Sequence, residues 1–288
     1  MTNGGGRLSI SLCIIARDEE RDLPAAIVSA PFASEVIVVI DAATADGTRA
    51  AARAADAADR PVRIFERSWP GHVAQKNFAL EQATCEWALS LDADERVSPE
   101  LDGAIRAVFS RGPAAGICGF AMNRRTRYLG RWMRGSGWYP DSKLRLVRRG
   151  RARWEGTDPH DRLAADGPIA RLEGDLLHES YRDLSDHLRK LDAFTSIAAG
   201  EKARRGAGLS VWGHPVWRML VQPPARFLKM FLWKRGWRDG LPGAIAAGMG
   251  TLYVFLKYAK LWEIHATERR LAGGSVGLDP SLPPRGRP

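Results

Sequence analysis

The sequence predicts an α/β protein built on an open, mostly parallel sheet with helices on both faces. Three observations predict it. Short β-branched apolar runs alternate with helical segments over the first 110 residues. These runs are apolar at successive positions, as strands covered on both faces are. Cap and turn residues punctuate the changes of element.

In chain order, Ile10–Ile15 is a buried strand, followed by the charged loop Arg17-Asp18-Glu19-Glu20. A short helix starts near Pro24, with Asp22 as its expected cap. Val36–Ile40 is β-branched throughout and forms a second strand that ends on Asp41. Asp46-Gly47-Thr48 opens an alanine-rich helix to about Ala58, and Val62–Glu66 alternates as a third strand. The next helix, Val73–Ala83, carries Gln75, Lys76 and Asn77 in its first turn. Trp87–Leu91 is a fourth strand, ending in Asp92-Ala93-Asp94-Glu95. Ser98-Pro99-Glu100 supplies a cap with proline at the first helical position and starts a helix to about Phe109. Beyond residue 116 the pattern changes. Gly116–Met122 and Lys143–Arg148 read as strands around a Gly-, Trp- and Arg-rich excursion, and Asp183–Arg205 reads as a helix. Leu184, Leu188, Leu191, Phe194, Ile197 and Ala198 make one apolar face of that helix. The tail from Gly273 reads as disordered. The domain organisation expected is a sheet domain over 8–182, a helical region over 183–272 and a tail over 273–288.

The chain has 288 residues and is 45% hydrophobic, which excludes wholesale disorder, collagen and coiled coil. Cys13, Cys85 and Cys118 are too few and too scattered for a disulfide scaffold or a zinc site, and read as free thiols. The formal net charge is +10. Residues 214–262 hold eight Lys/Arg against Asp239 alone, interleaved with Trp217, Trp233, Trp237 and Trp262. That mixture reads as an interfacial surface for an anionic membrane; a basic helical subdomain packed on its neighbours is the bland alternative. The longest uncharged stretch, Leu241–Leu256, has 16 residues and falls short of the ~20 needed to span a bilayer. The start of the chain shows no signal-peptide pattern.

Ligands of open parallel sheets bind outside the carboxyl ends of the strands. The residues expected to function are therefore in Arg17–Glu20, Asp41–Asp46, Arg67–Asn77 and Asp92–Glu95. Asp92 and Asp94, two residues apart at a strand end, can share a divalent cation; a solvated turn is the alternative. Asp41 can accept hydrogen bonds from a base or ribose, or act as a turn residue. Lys76 near a helix start needs an anion or carboxylate close by, unless it is simply exposed. His160-Asp161 and His178 offer a base and a metal ligand, against the commoner structural histidine.

These residues carry a resemblance. Ile10–Glu20 resembles the opening motif of family 2 glycosyltransferases, and Val36–Thr48 resembles their second-strand motif, with Ala43 and Ala45 at positions often polar. Trp69–Asn77, Leu91–Glu95, Asp141–Arg148, Pro159-His160-Asp161 and His178-Glu179-Ser180-Tyr181 resemble the lipopolysaccharide-core β-1,4-glucosyltransferase branch. So does Phe227–Glu263, with Lys234-Arg235-Gly236-Trp237-Arg238-Asp239-Gly240. The resemblance covers most of residues 8–265.

It implies a GT-A, Rossmann-like fold and inverting transfer of a sugar from a nucleotide-diphosphate sugar, UDP-glucose being the branch default. Asp41 would hold the base, Asp92 would lie near the ribose, and Ala16, Arg17, Glu19, Lys76, Ala93 and Arg145 would complete the nucleotide-sugar site. Asp94, with His178 as a further ligand, would hold Mg²⁺ or Mn²⁺. Asp161, where the branch usually has Glu, would be the catalytic base. The implied acceptor is a glycolipid or the lipopolysaccharide core, met at the cytoplasmic face of a bacterial inner membrane. The alternatives are a polyisoprenyl phosphate or protein acceptor, a non-catalytic nucleotide-sugar-binding relative, and a homo-oligomer in place of lipid at the C-terminal surface. A nucleic-acid partner is not expected: carboxylates crowd the ligand edge, and they repel a phosphate backbone.

Overall fold

The computed structural model describes residues 6–156, 161–206 and 215–272. Pro159-His160 and the tail from Gly273 lie outside the described residues. The chain divides into two compact units, Met1–Arg182 and Asp183–Pro288.

The first unit begins with four parallel strands. Strand β1 (Leu8–Ala16) pairs with β2 (Ala33–Asp41) on one side and with β4 (Trp87–Asp92) on the other; β3 (Val62–Arg67) flanks β2. Period-two geometry sends the apolar side chains of β1 and β2 to both faces. Ile10, Leu12, Ile14, Val36, Val38 and Ile40 enter one core layer with helices α1 (Leu23–Ser29) and α4 (Pro99–Arg111). Cys13, Ile15, Ile37 and Val39 enter another with Ala79 of α3 (His72–Glu81). Each large side chain so buried contributes roughly 1.5–3 kcal/mol. The run of apolar residues in the sequence is thus two interleaved faces, each with its own helices. Helix α2 (Thr48–Ala54) follows β2 and stops short of the expected Ala58.

Beyond β4 the sheet is mixed. Strands β5 (Glu95–Val97), β6 (Gly119–Tyr128), β8 (Asp141–Arg148) and β11 (Ile169–His178) extend it, and β7 (Arg131–Trp132) pairs with β6. The order is β3-β2-β1-β4-β8-β6-β11-β5, nine strands among the described residues with β7 included. Strands β9 (Ala152–Glu155) and β10 (Arg162–Ala165) form a separate antiparallel pair. "Mostly parallel" therefore holds for the first four strands; β8 runs antiparallel to both β4 and β6. The register of β11 on β6 shifts between Arg171 and Asp175, where Gly174 takes φ +91°. A Cβ there would collide with the Leu101 backbone, so the glycine lets α4 start directly on β11. Ser98 caps α4 through Leu101 N at 3.2 Å and also receives Asp175 N at 3.3 Å. Asp22, the cap expected for α1, makes no such bond and pairs with Arg96 at 2.9 Å. The three cysteines are free, Cys13 and Cys118 buried and Cys85 half-buried.

The second unit contains α5 (Leu184–Arg204), α6 (Pro215–Leu228) and α7 (Gly240–Ala272). Asp183 caps α5 through Asp186 N at 2.7 Å. The buried stripe of α5 is His187, Leu191, Thr195 and Ala199, whereas Leu184, Leu188, Phe194 and Ile197 are exposed. The apolar face read from the sequence is thus largely turned outward. The reason is the seam with α7. Lys260 reaches Asp192, Thr195 and Ser196 at 2.6–2.9 Å, and Ala199 packs with Val254, Tyr258 and Leu261. No helix among the described residues is long and apolar enough to cross a membrane.

Burial drives the His187 imidazole down to about 4, opposed by Asp186 and assisted by Lys190. Its unfolded value is about 6.5, so the unfolded chain takes up the proton first as the pH falls. The contribution of neutral His187 is complete above pH ~6.5 and is lost on acidification toward pH ~4. Denaturant unfolding followed by circular dichroism should lose about 2 kcal/mol between pH 7.5 and pH 5 from this group. His187→Leu should lack that part of the slope, and equal slopes in the two proteins would remove His187 as its source.

Candidate active site

The loops after β1 and β2 lock together at the carboxyl edge of the sheet. Ala45 N donates to Asp18 Oδ1 at 2.8 Å, Gly47 N to Glu20 Oε2 at 2.8 Å, and Glu19 N to Thr48 Oγ1 at 2.7 Å. Asp18 adopts φ +55°, a left-handed turn that Asp tolerates better than most residues. Ala43 and Ala45, where the resembling motif is often polar, contribute backbone N–H groups: Ala43 N donates to Asp41 Oδ1 at 3.0 Å. A polar side chain is not required for those bonds. Asp41 is buried at the end of β2, and Arg17, exposed at the end of β1, lies 3.3 Å from its Oδ2. That oxygen accepts no hydrogen bond among the described residues and has the Arg17 guanidinium as its charged neighbour. Ala16, the last residue of β1, is buried in the core.

The densest charge cluster lies between β4, α3, β8 and the β9–β10 pair. Lys76 Nζ bridges two carboxylates, Asp92 Oδ1 at 2.7 Å and Asp161 Oδ2 at 2.8 Å. Arg145, buried on β8, holds Asp92 Oδ2 at 2.9 Å and Glu95 Oε1 at 2.8 Å. Burial alone would discharge Lys76, but Asp92 and Asp161 offset it and keep its pKa above the ordinary lysine value. Burial opposes ionisation of Asp92 as well; Lys76 and Arg145 win and hold that carboxyl well below the usual range. Arg145 is likewise pushed up, with Glu95 and Asp92 outweighing burial. The Trp154 ring closes the cluster, 4.2 Å from the Lys76 ammonium and 5.1 Å from the Arg145 guanidinium. A cavity of ≈ 290 Å³ opens here, lined by Lys76, Asp92, Arg124, Arg145, Trp154 and Asp161 among others.

Asp94 points to a different partner. His178 Nε2 lies 3.3 Å from Asp94 Oδ2, while His178 Nδ1 faces Thr126 Oγ1 at 3.2 Å. The threonine fixes the ring so that Nε2 is turned to the carboxylate, the arrangement by which outer partners orient a metal-binding histidine. Among the described residues no three His, Cys, Asp or Glu side chains converge as a complete metal centre. One carboxylate and one imidazole nevertheless fit a Mg²⁺ or Mn²⁺ whose other positions are taken by phosphate oxygens and water. Asp92, engaged by two cations, is the poorer candidate ligand of the pair. Ala93 between them is buried.

The structure therefore brings Lys76, Asp92, Arg145 and Asp161 into one cluster, Asp94 and His178 into a second, and Arg17 and Asp41 into a third. Arg145 was expected in the nucleotide-sugar site; its near partners are Asp92 and Glu95. Sequence reasoning missed Trp154; Glu95 and Asn77 lay inside the expected segments Asp92–Glu95 and Arg67–Asn77 but were given no role of their own. Glu95 is fully buried and takes both the Nε and Nη2 of Arg145. Asn77 clamps the Trp154 backbone twice, donating to its carbonyl at 2.9 Å and accepting from its N–H at 2.8 Å. That clamp is how the helix bearing Lys76 holds the strand bearing Trp154. Glu95 had a signal, its place just after Asp92-Ala93-Asp94; Trp154 had none.

A profile described as Glycosyl transferase family 2 matches residues 11–165. The lipopolysaccharide core biosynthesis glycosyltransferase LpsC of Rhizobium meliloti is 31% identical over 273 residues, covering 92% of this chain and 96% of its own. An uncharacterized glycosyltransferase of Rickettsia typhi is 25% identical over 272 residues, covering 91% of this chain and 89% of its own. Among solved structures, S. aureus TarS 1–349 superposes with a TM-score of 0.45 at 13% identity, covering 92% of each chain. The mannosyltransferase PcManGT from Pyrobaculum calidifontis, in complex with GDP-Man and Mn²⁺, gives 0.45 at 14% identity, covering 93% of this chain and 80% of that one.

Proposed function

This chain belongs to glycosyl transferase family 2, and from that premise we propose that it transfers a hexose, with inversion, from a UDP-sugar to a lipid-linked or lipopolysaccharide-core acceptor. The observation that carries the reading is the Lys76 ammonium bridging Asp92 and Asp161 beside an open cavity. It holds the Asp161 carboxylate beside Asp92 at the end of β4, the carboxyl edge of the sheet near which a nucleotide sugar is expected to lie. Glucose is the proposed sugar, on the sequence resemblance. The naming of LpsC supports a lipopolysaccharide-core acceptor.

In this reading Asp41 accepts a hydrogen bond from the base, and Arg17 and Glu19 border it. Asp92 lies toward the ribose, with Lys76 and Arg145 fixing its carboxylate. Asp161 accepts the acceptor hydroxyl's proton as that oxygen bonds to the anomeric carbon. The bond from that carbon to the diphosphate breaks, and its electron pair leaves with the diphosphate. Asp94 and His178 would hold Mg²⁺ or Mn²⁺, which supplies charge neutralisation to the departing diphosphate. Inversion follows from a single displacement on one face of the sugar. The site of action is the cytoplasmic face of the inner membrane, with the net +7 of residues 214–262 directed at anionic lipid.

Calorimetric titration of the full chain with UDP-glucose, other UDP-hexoses and GDP-mannose tests the donor half. Saturable binding of one UDP-hexose in Mn²⁺, weakened by EDTA, is the expected result. A folded protein that binds none of them would overturn the proposal.

A further inference from the structure

The chain from Lys229 to Leu241 shows two faces that differ in kind. Lys229–Trp233 is a single π-helical turn, closed by Lys234 N donating to Lys229 O at 2.8 Å. A 3₁₀ turn, Gly236–Asp239, follows, and Arg235 between them sits at φ +53°. The inner face is anchored on α7. Met230 is buried against Gly250, where a Cβ would strike its sulfur, and a Cβ at Gly243 would strike the Gly236 carbonyl. Gly236 and Asp239 are buried as well. The outer face holds Leu232, Trp233, Trp237 and Leu241, exposed at 56%, 83%, 55% and 71%. Four large apolar side chains held outward by a turn fixed from behind form a patch of the kind that marks an interaction site.

We infer that this double turn is an insertion site for an anionic lipid bilayer. The inference rests on the lipid-linked acceptor proposed above and names the element that docks. Charge selects the occupant. Lys229, Lys234, Arg235 and Arg238 are exposed around the four apolar side chains, and Asp239, the sole acid of the segment, is buried. Protein–protein interface cores are depleted in lysine, whereas tryptophan and leucine ringed by Lys and Arg match the headgroup boundary of anionic lipid. The turns insert Leu232 and Trp233 at the level of the acyl boundary and leave the four cations among the headgroup phosphates.

Sedimentation of the full chain with vesicles tests this without donor or acceptor. Phosphatidylcholine–phosphatidylglycerol vesicles should bind it, and phosphatidylcholine vesicles much less. Leu232→Ser/Trp233→Ser/Trp237→Ser should lower partitioning into the anionic vesicles by ~100-fold. Lys229→Glu/Lys234→Glu should lower it by a similar factor of ~100. Binding of both variants at the wild-type level, or no binding of the wild type, overturns the inference. So does a wild-type dimer by light scattering that becomes monomeric in the variants without vesicle binding, which would assign the face to a second copy of the chain. Calorimetric titration of the same samples with UDP-glucose separates the two proposals: intact donor binding with failed vesicle binding rejects only the insertion site.

Discussion

Asp161→Asn should slow sugar transfer by ~10²–10⁴-fold while leaving donor binding close to wild type. The substitution removes the group that takes the proton and little else. An asparagine oxygen can still accept from Lys76, and Lys76 keeps Asp92 at 2.7 Å. The bridge and the stacking on Trp154 therefore survive. Loss of a general base costs ~10²–10⁴-fold in rate, so turnover should fall into that range with donor affinity unchanged. Asp161→Glu, which restores a carboxylate one methylene longer, should recover part of the rate. A near-normal rate in the asparagine variant would place the base elsewhere.

The second large effect is expected at Asp94. Asp94→Ala should weaken Mn²⁺-dependent donor binding by ~100-fold or more, because it takes away the carboxylate of a two-residue metal site. Calorimetric titration with and without Mn²⁺ reads this directly: the variant should bind the UDP-sugar equally weakly in both. Binding that still strengthens on adding Mn²⁺ would deny Asp94 the role. Asp94 is a cleaner choice than Asp92. Removing Asp92 would take one carboxylate from both Lys76 and Arg145, and breaking a buried pair costs ~3–5 kcal/mol. A folding defect there would look like a binding defect.

The half of the fold that positions the loops after β1 and β2 was legible because its signals are local. Strands β1 and β2 are uninterrupted apolar runs, and the carboxylates that end β2 and β4 stand where an open sheet puts its ligands. The other half was legible only in part: Gly116–Met122 and Lys143–Arg148 caught portions of β6 and β8, while β9, β10 and β11 were not read. Strands β6, β8 and β11 carry arginines that pair across the sheet and into the site, such as Arg124 with Asp141 and Arg145 with Asp92. These obscure the apolar period. β11 also contains a register shift, which breaks any fixed alternation. At the site, Lys76 could be flagged as a lysine needing a carboxylate, but which carboxylates reach it is decided by the tertiary placement of Asp92 on β4 and of Asp161. Trp154 and Asn77 meet through backbone bonds that no residue pattern encodes. On α5 the apolar stripe was visible in the sequence. That it faces outward depends on Lys260 of α7, distant in the chain.

The most direct test of the account is the product itself. The full chain is incubated with UDP-glucose, Mn²⁺ and core-truncated lipopolysaccharide, and the glycan is analysed by mass spectrometry and NMR. The account predicts a glycan heavier by a single hexose, joined in the β configuration, inverted from that of the donor. A glycan of unchanged mass with every UDP-hexose that binds, or a product that keeps the donor's configuration, would contradict it.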